Sequence, residues 1–305
     1  VTEEEIIATL VGAAGPATPV GPGHDAAVLP GGVAWTVDTL VEGVHFAAPL
    51  TPEDVGWKSL MVSVSDLGAI GARPAWALLS LSLPRGDGAW VAGFASGFHE
   101  ACRWSGVALV GGDTTRSPSG RFVSVSLGGP LVGPARTRGG ARPGDELWVS
   151  GPLGAAGLGW RTPNPPPEAV RALARPEPPL AFALALAASN LASSAMDLSD
   201  GLSTDLPRLC AASGVGARVV AGDVPLHDVL IGRPDAWAHA VDGGDDYALL
   251  FTAPPTHHDR VLAAGARTMT HPRVIGSVTA EPGVEVIGAR WPGSAFRHFT
   301  GAPRA

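Results

Sequence analysis

A chain of 305 residues, 45% of them hydrophobic and 16% charged, can bury a large core, which excludes global disorder and favours two domains over one. The net charge of −7, with Lys58 as the sole lysine and no basic run, argues against nucleic acid as a partner. Cys102 and Cys210 are too few and too far apart for a disulfide framework or a zinc site, and read as buried thiols in a reducing compartment.

The N-terminal VTEEEIIATL is helical in pattern and acidic, without the basic flank and apolar stretch of a secretory signal. A strand is expected over Val33 to Leu40. A helix follows over Thr51 to Ile70, opened by a Thr-Pro-Glu-Asp cap, and a second over Val91 to Ser105. Val107 to Val110 reads as a short buried strand running into Gly111-Gly112, and Arg121 to Val132 as another strand. The Gly, Pro and Arg turn chemistry of 137–145 marks the expected boundary, with one domain over 1–139 and a second over 140–305.

The second half opens with a strand, Glu146 to Ser150, then a Gly-rich turn into an Ala/Gly helix. The proline-rich Arg161 to Pro167 reads as a surface loop and Pro178 to Ser194 as a long Ala/Leu helix. The apolar run from Leu180 to Ala192 contains Asn190 and falls short of the roughly 20 residues that span a bilayer, so no membrane partner and a cytoplasmic location are expected. A helix from about Leu202 and strands near Ala217 to Val220, Tyr247 to Thr252 and Arg273 to Val278 complete an alternating pattern. Alternation in both halves suits an α+β or α/β architecture.

Chemistry is carried by aspartates in small-residue turns: Gly23-His24-Asp25, Thr36-Val37-Asp38, Ser65-Asp66, Gly112-Asp113-Thr114, Asp197-Leu198-Ser199-Asp200-Gly201 and Gly243-Gly244-Asp245-Asp246. Each alone could be a helix cap or a turn residue. Several follow apolar strand-like runs, where α/β proteins commonly build their sites. Three chemistries could use such acids. Glycoside hydrolysis needs two carboxylates, and there are more here. A two-metal phosphatase usually adds histidines, of which only His24 and His45 lie near these motifs. A hard-cation site, in which oxygen ligands hold magnesium against bound phosphates, suits the composition best. Neither a P-loop nor the protein-kinase motif set occurs.

Taken in order, GHDAAV (23–28), TVDTLVEGVHF (36–46), SDLGAIGA (65–72), GGDTTR (111–116), ARTRGGARPGD (135–145), MDLSDGL (196–202) and GGDDYALLF (243–251) resemble the thiamine-monophosphate kinases of the aminoimidazole-ribonucleotide synthetase-like superfamily. The resemblance runs from about Gly21 to Phe299. It implies a two-domain α+β fold, in which an N-terminal sheet forms a homodimer interface and a C-terminal α/β sandwich closes an ATP cleft. It implies ATP-dependent phosphorylation of thiamine monophosphate, with several magnesium ions held by Asp25, Thr36, Asp38, Asp66, Asp113, Asp197 and Asp200, and by Val37 through its carbonyl if at all. Gly112, Asp113, Arg138 and Ser199 would contact the nucleotide, and His45, Asp245 and Phe296 the thiamine monophosphate. No residue is assigned as nucleophile or base. The chain departs from the family pattern at His24, where an acid is usual, at Ser63 for Asn, and at Asp245 for Glu. A related synthetase, or a silent magnesium–nucleotide-binding subunit, are the alternatives.

Overall fold

The computed structural model describes residues 3–11 and 18–293. The first half contains α1 (Glu3–Val11), β1 (Ala27–Leu29), β2 (Val33–Val41), α2 (Pro52–Ile70), β3 (Trp76–Leu83), α3 (Gly88–Ser105), β4 (Ala108–Arg116) and β5 (Phe122–Pro130). Its strands form one sheet in the order β1-β2-β5-β3-β4, antiparallel except for the parallel β3–β4 pair. One face of this sheet is covered: Leu60, Met61, Leu67 and Ile70 of α2 pack with Val123, Val125 and Leu127 of β5.

Local chemistry starts and stops α2 where the sequence indicates. The Thr51 side chain accepts the Asp54 N–H at 3.2 Å, and Asp54 accepts the Thr51 N–H at 3.1 Å, a reciprocal cap worth about 1 kcal/mol. Pro52 occupies the first turn, and Gly71, at φ 85°, ends the helix in the left-handed region. Two glycines bring α2 and α3 into backbone contact. A Cβ on Gly56 would lie 2.1 Å from the Phe94 carbonyl oxygen, and one on Gly97 would lie 1.8 Å from that of Glu53.

The second half contains β6 (Glu146–Val149), α4 (Ala155–Arg161), α5 (Pro167–Ala174), α6 (Leu180–Ala188), β7 (Ser194–Asp197), α7 (Leu202–Ser213), β8 (Gly216–Val220), α8 (Ala236–Asp242), β9 (Leu249–Ala253), α9 (His258–Thr268), β10 (Arg273–Thr279) and β11 (Gly283–Ile287). The sheet order is β11-β8-β10-β6-β9-β7. Neighbouring residues of its strands feed two cores: Leu147, Val149 and Leu250 meet Leu158 and Leu206, whereas Trp148 and Phe251 meet Phe182, Leu186 and Val261. Helices on both faces make this half a sandwich, as a sheet with two apolar faces requires.

Two local expectations change. The segment expected as a short buried strand at 107–110 is the start of the nine-residue edge strand β4, exposed along its whole length although Val107 just before it is buried. Its apolar residues therefore mark an open sheet edge and face rather than a core strand. The expected helix over 178–194 is confined to α6: Asn190 at φ 50° reverses the chain, and Ser194 already pairs with β9. Among the described residues no helix is long and apolar enough to cross a membrane.

Candidate active site

Strand alternation on β2 turns Ala34, Thr36 and Leu40 into the core and leaves Val37 64% exposed on the other face. Asp38 shares the inner face with Thr36, opposite α2. There Ser63 donates to Asp38 Oδ2 at 2.7 Å, and Thr36 donates to Asp66 Oδ2 at 2.6 Å. Ser65, one residue before Asp66, lies beside Asp197 at the end of β7 and offsets part of the cost of burying its carboxyl. A single buried helix thus fixes acids from β2, from itself and from the second domain.

Asp25, Asp66 and Asp197 each offer a carboxylate oxygen within 4.8 Å of the others. Burial, together with the charges of neighbouring acids, pushes Asp66 and Asp197 well above the usual carboxylate range. Asp25 is also raised by burial, opposed by Arg138, whose Nε and Nη2 donate to its Oδ1 at 3.1 and 2.7 Å. Asp38 is raised by burial and held back by its hydrogen bond from Ser63. Oδ2 of Asp25 is buried and has no hydrogen-bond partner among the described residues, although such atoms are normally satisfied. Clustered carboxylates, a hydroxyl and a buried oxygen lacking a partner form a donor set suited to hard divalent cations.

Two cavities meet at this cluster. One, of about 1010 Å³, is walled by His24, Asp25, Arg138, Asp197 and Arg208. The other, of about 540 Å³, is walled by His45, Val62, Asp200, Gly244 and Asp245. Val37, Asp38 and Ser199 line both. The Val41 N–H donates to His45 Nδ1 at 3.0 Å, which puts the proton of the neutral ring on Nε2. His24 Nδ1 accepts the Arg138 N–H at 3.4 Å, and burial lowers its pKa, so the ring is neutral near pH 7 and shapes the Arg138 loop.

The sequence-derived residues divide three ways. Asp25, Thr36, Val37, Asp38, Asp66, Arg138, Asp197 and Ser199 line the larger cavity, and His45, Asp200 and Asp245 the smaller one. Gly112 and Asp113 stand apart. Strand register aligns Asp113 with Ser80, Ser124 and Thr39, on the face away from α2 and three strands from Asp38. Phe296 lies outside the described residues.

Sequence reasoning passed over several residues. Asp205 accepts the Asp200 and Gly201 N–H groups at 3.0 and 3.1 Å, and Arg208 pairs with both Asp200 and Asp205. An acid in the first turn of a helix opened by Ser-Asp-Gly was the available signal. Burial, and then the charge of Asp200, lifts Asp205 to about 7.

Asp246 faces away from the cluster into another cavity and accepts the Gly154 N–H on both oxygens, at 2.9 and 3.0 Å. Burial pushes its carboxyl up to about 8. Because the folded form holds its proton above the unfolded pKa, this group's contribution falls as pH rises from about 4 to about 8. Asp246→Asn keeps an acceptor and removes that dependence. The variant should gain several degrees in Tm over the wild type at pH 8.5 and little at pH 5. Equal shifts at both pH values would contradict the assignment.

Residues 23–131 match the family model described as AIR synthase related protein, N-terminal domain, and residues 142–289 match its C-terminal domain counterpart. The thiamine-monophosphate kinase of Escherichia coli (strain K12) is 36% identical over 261 residues, covering 82% of this chain and 79% of that relative. A solved structure of AaThiL complexed with AMPPCP and TMP superposes with a TM-score of 0.84 at 31% identity, covering 98% of this chain and 97% of the other. The thiamine-monophosphate kinase structure from Stenotrophomonas maltophilia K279a gives 0.79 at 36% identity, covering 93% and 95%.

Proposed function

The chain belongs to the AIR synthase related family, and we propose that it transfers the terminal phosphoryl group of ATP to thiamine monophosphate, forming thiamine diphosphate. The observation that carries this reading is the pair of cavities sharing the wall of Val37, Asp38 and Ser199, with buried acids where they meet. A nucleotide fits the larger space, beside Arg138, and a thiamine-sized phosphate ester the smaller, beside His45 and Asp245. The reacting phosphates then meet at Asp38.

Magnesium ions held by Asp25, Asp38, Asp66 and Asp197, with Thr36, Val37 and Asp200 beside them, would neutralise phosphate charge as the donor and acceptor approach. The chain's own residues orient. Arg138 presents a planar fork at the wall of the nucleotide cavity, suited to phosphate oxygens. Ser199, on the shared wall, offers a hydroxyl to the nucleotide, and His45 Nε2–H and Asp245 bind the acceptor. A phosphate monoester has a second pKa near 6, so at neutral pH its attacking oxygen is largely deprotonated and no side chain need remove a proton. In-line placement is then the main task of the protein, and no aspartate acts as a nucleophile.

We read the division of labour as 1–139 for metal, nucleotide and dimerisation and 140–305 for the remaining walls. The open sheet face supports a homodimer. Val37, Trp76, Leu78 and Phe122 are exposed on it among small polar residues such as Ser80, Ser124 and Ser126, and a sheet face without a covering layer suits a second copy. A second copy covers this face and takes Asp113 to the partner's phosphate site, where Asp113 and Gly112 complete the nucleotide and metal contacts. The need for ATP and the unpaired Cys102 and Cys210 favour the cytoplasm.

The test is direct. Purified protein, ATP, thiamine monophosphate and Mg²⁺ should yield thiamine diphosphate and ADP in equal amounts, and chelation should stop the reaction. ADP without thiamine diphosphate would sink the assignment.

A further inference from the structure

Lys58, the only lysine of the chain, is fully buried in the middle of α2, where an ammonium is costly. Its Nζ lies 3.1 Å from Asp245 Oδ1, an ion pair, and has no hydrogen-bond partner among the described residues. The Tyr247 hydroxyl donates to the same oxygen at 3.0 Å. Both contacts fall on Oδ1, and Asp245 lines the smaller cavity with its side chain 21% exposed. The backbone here is strained: Asp245 and Tyr247 sit at φ 62° and 49°, and their N–H groups are tied to the Ser199 and Leu198 carbonyls at 2.8 Å. Non-glycine residues hold such angles only where the surroundings over-determine them.

We propose that Lys58 is a positioning residue for the acceptor substrate. With Tyr247 it clamps one oxygen of Asp245 and turns the other oxygen to the cavity, where it binds the cationic, amine-bearing ring system of thiamine monophosphate. This rests on the phosphotransfer reading above. Lys58 itself touches no substrate, and the nucleotide cavity does not include the pair.

A KM split tests it. Lys58→Met should raise KM for thiamine monophosphate about tenfold, as loss of an oriented ionic contact does, and leave KM for ATP within about twofold. Asp245→Asn should raise KM similarly, and the double variant Lys58→Met/Asp245→Asn should be no worse than Asp245→Asn alone, because the two act through one contact. Additive losses, or equal rises for both substrates, would overturn the clamp. Should Lys58→Met fail to fold, the wild type decides: ¹³Cε-lysine labelling gives one side-chain resonance, which thiamine monophosphate should shift and ATP alone should not. An unmoved resonance overturns the proposal. Failure of the broader reading is recognised separately, by a wild type that forms no thiamine diphosphate.

Discussion

Asp66→Asn should lower turnover by roughly 10²-fold or more while raising the melting temperature of the metal-free protein. Both halves of that result have one cause. Asp66 is half-buried beside Asp38, Asp197 and Asp25, and loss of solvation with their repulsion holds its carboxyl well above the ordinary range. Without a cation, ionising it works against the fold; an amide of the same shape removes the strain and still accepts the Thr36 hydroxyl. With Mg²⁺ and ATP the balance reverses, since the phosphates then lack a ligand charge. Thermal melts with and without Mg²⁺, beside a turnover assay, read this out: Mg²⁺ should raise the wild-type Tm and leave that of Asp66→Asn nearly unchanged. Near-normal turnover at moderate Mg²⁺ would remove Asp66 from the metal set.

A mixture of two inactive variants should recover activity. Asp113 lies on the open face of the sheet, strands away from Asp66 within one chain. If each site takes Asp66 from one copy and Asp113 from the other, a mixed dimer of Asp66→Asn and Asp113→Asn has one intact site. Random co-assembly makes half the dimers mixed, so co-expressed chains should show up to about a quarter of wild-type activity, with each variant alone near zero. A dead mixture, once mixed dimers are verified by mass, would place Asp113 outside the site.

Much of this was legible in the sequence because the signals are local. The Thr51–Asp54 cap, the Gly71 stop and the two-residue alternation of β2 act over a few residues, and the structure follows them. The motifs also picked out the acids, though not all as turn residues: Asp25, Asp200 and Asp245 lie outside helices and strands, whereas Asp38 sits within β2, Asp66 within α2 and Asp113 within β4. Long-range features were less visible. β3, with the sequence WALLSLSL between Pro74 and the Pro84-Arg85-Gly86-Asp87 turn, carries local strand signals that sequence reasoning passed over; its pairing with β4 and β5 is the part that no local signal gives. The apolar residues of β4 looked like core because apolarity does not distinguish a buried strand from a sheet face awaiting a partner. Nothing near Lys58 points to Asp245, 187 positions later, and nothing near Asp205 shows that it shapes the Asp200 turn except its place in the first turn of α7.

The backbone contact between α2 and α3 reaches further than packing. Lys58, Ser63, Ser65 and Asp66 all project from α2, so one rigid rod sets the spacing of the acids, the contact with Asp197 and the clamp on Asp245. With carbonyl oxygens where any Cβ at Gly56 or Gly97 would go, that rod can neither roll nor slide against its neighbour. Mg²⁺ demands near-ideal octahedral geometry at short distances, whereas Ca²⁺ accepts looser and more numerous ligands. If the acids hold Mg²⁺ as proposed, an immobile α2 would favour it over Ca²⁺, and two glycines that touch no ligand would help set which cation the site accepts.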